Sequence, residues 1–519
     1  MRAYTSAQSK ALDQAAQAQG IAGFELMRRA GFAAFQKIGQ HFPDARALLV
    51  LAGKGNNGGD AWIVAGAAHA AGWNVHLWQV IGEASQLRGE AAEARDWAFA
   101  QGLSERLIDR AGVLDLVAEG SAGRHDGMLI VDGLLGTGLR AEPRPEVAAA
   151  IDWINNSPLS CVALDLPSGL NADNGAAPGA AVISALTVTF IGMKLGLVTG
   201  KGPDCAGKVV LESLGVDVER LSGPGGEGAE ENRIKGCRLL SLPVEPMPRR
   251  KPSAFKNEFG HVAVLAGDQG GGGAALLAAE AALRAGAGLV SVGTRELHIA
   301  AFLARRPELM VRDVETKLAA SSLLQNASVV LVGPGLGQAD WGMQLYSAAL
   351  ERMSVASCIA VVDADALNLV AAGAALPQRS VITPHPGEAG RLLGCDTGAI
   401  EADRVGAAEE LARRYSCIAV LKGAGTLIAD SSGLQYVCSL GNPGMATAGM
   451  GDTLAGIIAG VIAQQGLSVQ WVSRAVQFHA SAGDLAAARY SQPGMVASDV
   501  IAELPRVLGG FMEGAPNAS

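Results

Sequence analysis

Basic surplus, aromatic side chains, paired cysteines and long apolar runs are all scarce in this sequence. Aromatic residues make up 4% and charged residues 18%, and acidic residues outnumber basic ones to a formal net charge of −9. That balance argues against a nucleic-acid surface and against attraction to anionic membranes. Anionic ligands would have to be held locally, by backbone N–H groups in glycine loops and at helix N-termini. The seven cysteines, at positions 161, 205, 237, 358, 395, 417 and 438, include no Cys-x-x-Cys pair, so zinc and dithiol chemistry have no ligand spacing. Reduced structural thiols in a cytoplasmic protein are the expectation. Met1 to Lys10 has no apolar core behind its single arginine, so no secretory signal is expected. The stretches around Val182 to Val198 and Leu454 to Ala463 are too short or too interrupted, by Lys194 among others, to span a bilayer. A soluble protein is expected.

The 519 residues, 49% of them hydrophobic, exceed what one core normally organises, so at least two domains are expected. The 68 glycines follow no triplet period and read as many tight loops, which suits an α/β fold. From Arg46 onward short apolar runs alternate with helical patterns, the βαβ signature. In the first half the strands are predicted at Ala47 to Ala52, Val75 to Val80, Met128 to Val131, Cys161 to Leu164 and Leu186 to Ile191. Helices are predicted at Ala61 to Ala71, Glu90 to Gln101 and Glu146 to Asn155, preceded by a mostly helical arm from Ser6 to Phe42. Ser222 to Glu231 has neither period nor large apolar residues and reads as a linker. A second alternation begins at His261 to Ala266 and continues at Gly288 to Val292, Val329 to Val332, Ile359 to Asp363, Ser380 to Thr383, Ile418 to Leu421, Thr426 to Ala429 and Gln435 to Cys438. Domains are therefore expected at 1–221 and 239–510, joined by a linker at 222–238.

In open α/β sheets ligands bind where strands end, which directs attention to three loops of the first half. Gly53-Lys54-Gly55-Asn56-Asn57-Gly58-Gly59-Asp60 leaves a strand and enters a helix, and its glycines allow close approach of backbone to a phosphate. It is neither a Walker sequence nor the dinucleotide fingerprint, and a glycine-rich turn capped by Asp60 is the plainer alternative. Asp132-Gly133-Leu134-Leu135-Gly136-Thr137-Gly138-Leu139 and Asp165-Leu166-Pro167-Ser168-Gly169-Leu170 each place an aspartate at a strand end. Oxygens of Asn57, Asp132 and Ser168 could jointly hold a hard cation. Asp165 could move a proton, or could merely cap its turn.

Taken in order, these loops resemble the NAD(P)H-hydrate epimerases over about Tyr4 to Val218. The resemblance implies a Rossmann-like domain that interconverts the two epimers of hydrated NADH or NADPH. It implies that Asn56, Asn57, Gly58, Gly59 and Asp60, with Gly136, Thr137, Gly138, Leu139, Arg140, Ala141 and Glu142, line the substrate, that Asp165 contacts it, and that Asn57, Asp132 and Ser168 bind potassium; the proton chemistry that epimerisation needs makes Asp165 the candidate catalytic residue. Ala61 stands where the family commonly has glycine, and its methyl is expected to narrow the loop slightly without abolishing binding.

The second half carries Gly441-Asn442-Pro443-Gly444-Met445-Ala446-Thr447-Ala448-Gly449-Met450-Gly451-Asp452, running into an apolar helical stretch. Amides of Ala448 to Gly451 would form a pocket for charge developing on a moving phosphoryl group, and Asp452 could take a proton from an attacking hydroxyl. Supporting loops follow other strands: Gly333-Pro334-Gly335-Leu336-Gly337, Asp363-Ala364-Asp365, Thr383-Pro384-His385-Pro386-Gly387-Glu388 and Lys422-Gly423-Ala424-Gly425-Thr426. Glu388 could orient the waters of a magnesium ion and His385 could touch substrate, although alone such a histidine is more often a satisfied loop residue.

These motifs resemble the ADP- or ATP-dependent NAD(P)H-hydrate dehydratases, of ribokinase-like α/β fold, over about Leu239 to Leu508. The resemblance implies that Ala274, Gly335, His385, Pro386, Gly387, Glu388, Ala389, Gly390, Arg391 and catalytic Asp452 meet the hydrated cofactor. Lys422, Gly423, Ala424, Gly425 and Thr426, with Asn442 through Gly451, would hold the nucleotide, ADP in bacterial members. Phe255-Lys256-Asn257 replaces a common His-Lys-Gly, and Met450 a common threonine. The expected partners are hydrated NADH and NADPH and ADP, with no nucleic acid or membrane, and a homo-oligomer by analogy. The competing readings are a small-molecule kinase of the same superfamily and a first domain that binds without catalysing.

Overall fold

The structure, a computed structural model, describes residues 1–103, 127–222, 234–355 and 357–510. The chain divides into two compact units, one from Arg2 to Cys237 and one from Arg238 onward together with Met1. Of the linker expected at 222–238, residues 223–233 lie outside the described residues.

In the first unit six strands form a wholly parallel sheet in the spatial order Asn74–Gln79, Ala47–Ala52, Met128–Gly133, Cys161–Leu164, Leu186–Phe190, Lys208–Glu212. Strands such as Ala47–Ala52 and Cys161–Leu164 are buried along nearly their whole length, which is why they read as continuous apolar runs rather than alternations. The winding reverses between Ala47–Ala52 and Met128–Gly133, so this doubly wound, Rossmann-like sheet opens a crevice where the Gly53 and Gly133 loops leave it. Lys208–Glu212, at the sheet edge and only half buried, was not expected from the sequence.

Two further differences bear on the site. The arm is two helices, Ser6–Ala18 and Gly23–His41, the first started by a Thr5–Gln8 capping box and preceded by a strand, Arg2–Tyr4, that pairs with Met193–Lys194. The helix expected from Ala61 begins at Asn56, so Asn56 to Asp60 form its first turn and not a loop. Asn-Asn-Gly-Gly has poor intrinsic helix propensity, and tertiary contact overrides it. A β-carbon on Gly58 would lie 2.0 Å from the Gly53 carbonyl oxygen, and one on Gly59 2.5 Å from the Met27 sulfur.

From Cys237 onward, among the described residues, ten strands are arranged as Met310–Asp313, Leu289–Thr294, His261–Leu265, Val329–Val332, Ile359–Val362, Ser380–Ile382, Ile418–Leu421, Thr426–Asp430, Gly433–Cys438, Cys237–Leu240. All neighbours run parallel except around Thr426–Asp430, which is antiparallel to both of its own. The order reverses between His261–Leu265 and Val329–Val332, again where glycine loops emerge.

Helix Met450–Gln465 lies along helix Gly272–Arg284, and its approach is set by small residues. A β-carbon on Gly456 would fall 2.2 Å from the Ala278 carbonyl oxygen and one on Gly460 2.5 Å from that of Ala282. Since this helix carries Asp452 in its first turn, the glycine seam fixes where that carboxyl sits. Gly456→Ala should therefore destabilise the fold by about 1–3 kcal/mol through overpacking, despite the roughly 1 kcal/mol that alanine gains in an open helix. Gly39→Ala, where nothing lies within 4 Å, should not destabilise. Urea unfolding of the full chain followed by circular dichroism checks both.

Candidate functional site

In the first unit the crevice is a cavity of about 850 Å³, large enough for a sizeable organic ligand. Its walls come from the Gly53 loop, the Asn56–Ala70 helix, the 134–144 segment, the Asp165 turn, the strand end at Phe190 and helix Ser6–Ala18. Asn56, Asn57, Asp60, Gly136, Thr137, Gly138, Leu139, Arg140, Ala141, Glu142 and Asp165 all line it, whereas Gly58 and Gly59 do not. Those two glycines instead permit the helix to pack against the Gly53 loop and Met27. The methyl of Ala61 is turned toward Gly133, where an added β-carbon would meet it at 2.5 Å, and does not narrow the cavity.

Asp165 adopts φ 61°, a left-handed conformation costly for a non-glycine residue and concentrated at functional sites. Its Oδ1 pairs with the Lys194 ammonium and accepts bonds from Thr189 Oγ1 at 3.2 Å and Phe190 N at 3.2 Å. Lys194, 3% exposed, also donates to the Phe190 carbonyl at 2.8 Å. Two further carboxyls share this field. Asp13, on the first helix, is pushed up to about 6 by burial, with Lys194 pulling it down and Asp165 up. Asp60 is raised well above the ordinary carboxyl range by burial and then by Asp165, with Lys194 opposing. Asp13 and Lys194 were not singled out from the sequence as site residues. The available signal was Lys194 itself, a lysine inside an otherwise apolar run.

Behind the cavity wall Asn57, Asp132 and Ser168 come together around the Leu135 backbone. Asn57 Nδ2 donates to the Leu135 carbonyl at 2.8 Å, Leu135 N donates to Ser168 Oγ at 2.8 Å, and Ser168 donates through Oγ and N to Asp132 at 2.6 and 2.8 Å. Asp132 is fully buried and pushed up to about 6 by that burial, against the bonds from Ser168. Asn57 Oδ1 is buried with no hydrogen-bond partner.

In the second unit, Lys422 Nζ lies 2.9 Å from Asp363 Oδ1 and 3.6 Å from Glu388 Oε2. A β-carbon on Gly451 would come 3.2 Å from the same ammonium, which places Lys422 against the first turn carrying Asp452. Asp452 is pushed up to about 6, chiefly by burial and then by Asp363, with Lys422 opposing. Glu388 and His385 form a reciprocal cap: Glu388 Oε2 accepts the His385 amide at 2.7 Å, and His385 Nδ1 accepts the amides of Gly387 and Glu388 at 2.9 and 3.3 Å. With Nδ1 an acceptor, the neutral ring carries its proton on Nε2.

The expected substrate and nucleotide contacts are brought together unevenly. The Gly335 loop meets the turn before Ala274, since Asp268 N donates to the Gly335 carbonyl at 2.7 Å and an added β-carbon on Gly335 would touch Gly271. Ala389 and Gly390 are buried inside their helix and present no surface, while Arg391 bonds Asn368 at 2.7 Å beside a shallow depression with Gln338. Gly423, Ala424, Ala446, Thr447 and Ala448 are exposed, whereas Met450 packs into the hydrophobic core. Asn442 turns its side chain inward, donating to Asp484 at 3.0 Å and to the Gly483 carbonyl at 3.1 Å, so it shapes the loop through Asp484, a residue the sequence did not point to. Arg404, 2% exposed, likewise sits beneath the Lys422 loop and donates to the Lys422 carbonyl at 3.1 Å.

Residues 262–506 match the family described as NAD(P)H-hydrate dehydratase, and residues 23–196 the family described as YjeF-related protein N-terminus. The bifunctional NAD(P)H-hydrate repair enzyme Nnr of Escherichia coli is 42% identical over 95% of this chain and 91% of its own length. That of Coxiella burnetii is 40% identical over 97% of this chain and 99% of its own. Among solved structures, an ADP/ATP-dependent NAD(P)H-hydrate dehydratase from Bacillus subtilis, co-crystallized with ATP/Mg2+, is 31% identical over 51% of this chain and 95% of its own, with a TM-score of 0.47. With two-site geometry and near full-length similarity in agreement, the chain belongs to the family of bifunctional NAD(P)H-hydrate repair enzymes.

Proposed function

We propose that residues 1–221 epimerise hydrated NADH and NADPH at Asp165, and that residues 239–510 dehydrate the S epimer at Asp452 with ADP as the co-substrate. One observation carries this reading: each unit sets an aspartate at a strand or helix end beside a lysine and a glycine-rich turn. The hydrated ring bears its hydroxyl on a carbon bonded to the ring nitrogen. Asp165, paired with the Lys194 ammonium and open to the cavity, suits removal of that hydroxyl proton, the step that lets the carbon lose its configuration.

In the second unit Asp452 takes the hydroxyl proton and the oxygen attacks the terminal phosphoryl group of ADP, releasing AMP. The ring nitrogen lone pair then expels phosphate, and loss of a proton from the adjacent ring carbon restores the dihydronicotinamide. Phosphate leaves far more readily than hydroxide, which accounts for nucleotide consumption. The amides of Ala448 to Gly451 and the Lys422 ammonium suit the charge that develops. A small-molecule kinase would stop at the phosphorylated product, so phosphate release with regained dihydronicotinamide absorbance separates the two chemistries.

Potassium fits the Asn57, Asp132 and Ser168 group: Asn57 Oδ1 is an orphaned buried oxygen and Asp132 a buried carboxylate with only neutral donors around it. Bound there, the ion would neutralise Asp132 and stiffen the 134–142 wall. The carboxylates around Lys422 supply more oxygens than their one buried cation needs, which suits magnesium through its waters at Glu388, where it would offset nucleotide phosphate charge. A homo-oligomer working in the cytoplasm completes the reading, the first by family analogy and the second from cysteine usage.

Four outcomes test it. Asp165→Asn should slow epimer exchange while dehydration of the S hydrate by the same chain continues; undiminished exchange would leave Asp165 a turn residue. Asp452→Asn should lower the ADP-saturated dehydration rate by about 10²- to 10⁴-fold with ADP affinity near that of the parent. As a base, Asp452 must be ionised, so kcat/KM of the parent for dehydration should fall as pH drops through about 6. A rate flat from pH 5 to 8 removes Asp452 as the base. A heavier monovalent ion soaked into crystals should give density between Asn57, Asp132 and Ser168, and water alone there would end the potassium assignment.

A further inference from the structure

We propose that Asp60 is the general acid of epimerisation and the partner of Asp165 as base, with Lys194 fixing which of the two carboxyls holds the proton. The inference rests on the epimerase reading above and deepens it, since loops of this kind suggest only that Asp60 caps a helix or touches the ligand.

Asp60 stands in the first helical turn and lines the cavity while only 9% exposed. Among the described residues no donor reaches its carboxyl. The Lys194 ammonium, the buried cation of the group, is committed to Asp165 and the Phe190 carbonyl. A buried carboxyl that accepts no hydrogen bond, and whose nearest ammonium is bonded to another carboxyl, is biased toward its protonated form, and Lys194 only partly offsets this. Asp165, with a lysine, a hydroxyl and an amide on one oxygen, has the opposite surroundings. Asp13, also open to the cavity, adds negative charge and favours the protonated form of Asp60. The remaining charged side chains on the walls are Lys10, Lys54, Glu90, Arg140, Glu142 and Arg144. Burial and the neighbouring aspartates together hold Asp60 above the ordinary carboxyl range.

Epimerisation by ring opening needs one carboxyl of each kind. Asp165 removes the proton from the hydroxyl on the hydrated carbon. The bond from that carbon to the ring nitrogen breaks, its electron pair going to the nitrogen, which takes the proton of Asp60. The carbon is then an aldehyde. Rotation about the neighbouring carbon–carbon bond presents its other face, the nitrogen attacks it, and the two protons return to Asp60 and to the oxygen from which they came. Nothing is oxidised or consumed, and two environments that push like groups apart in acidity supply both roles.

The test measures exchange between separated R and S hydrates by the full-length enzyme from pH 5 to 9, for the parent and for Asp60→Asn, Asp60→Glu and Asp165→Asn. The expected result is a loss of about 10²-fold or more in kcat for Asp60→Asn with KM changed only a few-fold, since the amide keeps shape and polarity but has no proton to give. The alkaline limb of the parent profile, where the acid is lost, should be absent in Asp60→Asn and should return with partial activity in Asp60→Glu. A raised KM with an undiminished kcat, or a parent profile without an alkaline limb, overturns the proposal and leaves Asp60 a contact residue. Should Asp60→Asn fail to fold, the parent profile and Asp60→Glu decide alone. Exchange unaffected in Asp165→Asn as well would mean that the epimerase reading itself has failed, a different result from the loss of Asp165 alone.

Discussion

A single ammonium facing several carboxylates is the constraint on which both halves of this molecule turn. Lys194 faces Asp165, Asp60 and Asp13, and Lys422 faces Asp363, Glu388 and Asp452. One positive charge cannot compensate three negative ones, and Asp13, Asp60 and Asp452 are held above the ordinary carboxyl range, chiefly by burial. The same imbalance that makes the crevice unfavourable as packing suits the proton transfers proposed for it. The rest of the architecture accommodates the imbalance: parallel sheets collect strand ends at one rim, and glycine seams bring helix N-termini with their partial positive charge against it.

Strands buried on both faces were legible because their residues are apolar throughout and stop at glycine or aspartate. Ala47–Ala52, Cys161–Leu164, Val329–Val332 and Ile418–Leu421 begin and end where the residues place them. Edge strands were not, since Lys208–Glu212 and Met310–Asp313 carry charges and leave side chains in water. The helix start at Asn56 was hidden for a different reason. Two asparagines and two glycines look like a loop until packing against Gly53 and Met27 is known.

The sites divide in the same way. Residues carried in contiguous motifs, such as Asp165, Asn57 and Asp452, could be found by inspection, because a strand end and its loop are local in sequence. Asp13, Lys194, Arg404 and Asp484 reach their sites from elsewhere in the chain and act through neighbours, so no spacing announces them. Lys194 was visible only as an interruption in an apolar run, and that interruption is the counter-ion of Asp165. Some loops mix cavity-lining and packing residues: Gly58 and Gly59 pack against the Gly53 loop and Met27, and Ala389 and Gly390 are buried in their helix.

One wall of the first cavity has a further property. Arg140, on the 136–142 segment, is tied to Asp173, and both meet Ser6 at the head of the first helix: Arg140 donates to Ser6 Oγ at 2.8 Å, and Ser6 Oγ to Asp173 at 3.2 Å. Arg140 is 63% exposed, and an ion pair so open to water contributes well under about 1 kcal/mol. Thermal motion breaks such a clasp readily, and salt weakens it further. The two sides of the mouth are thus fastened only lightly, by a contact that ionic strength loosens at a point remote from Asp165 and Lys194.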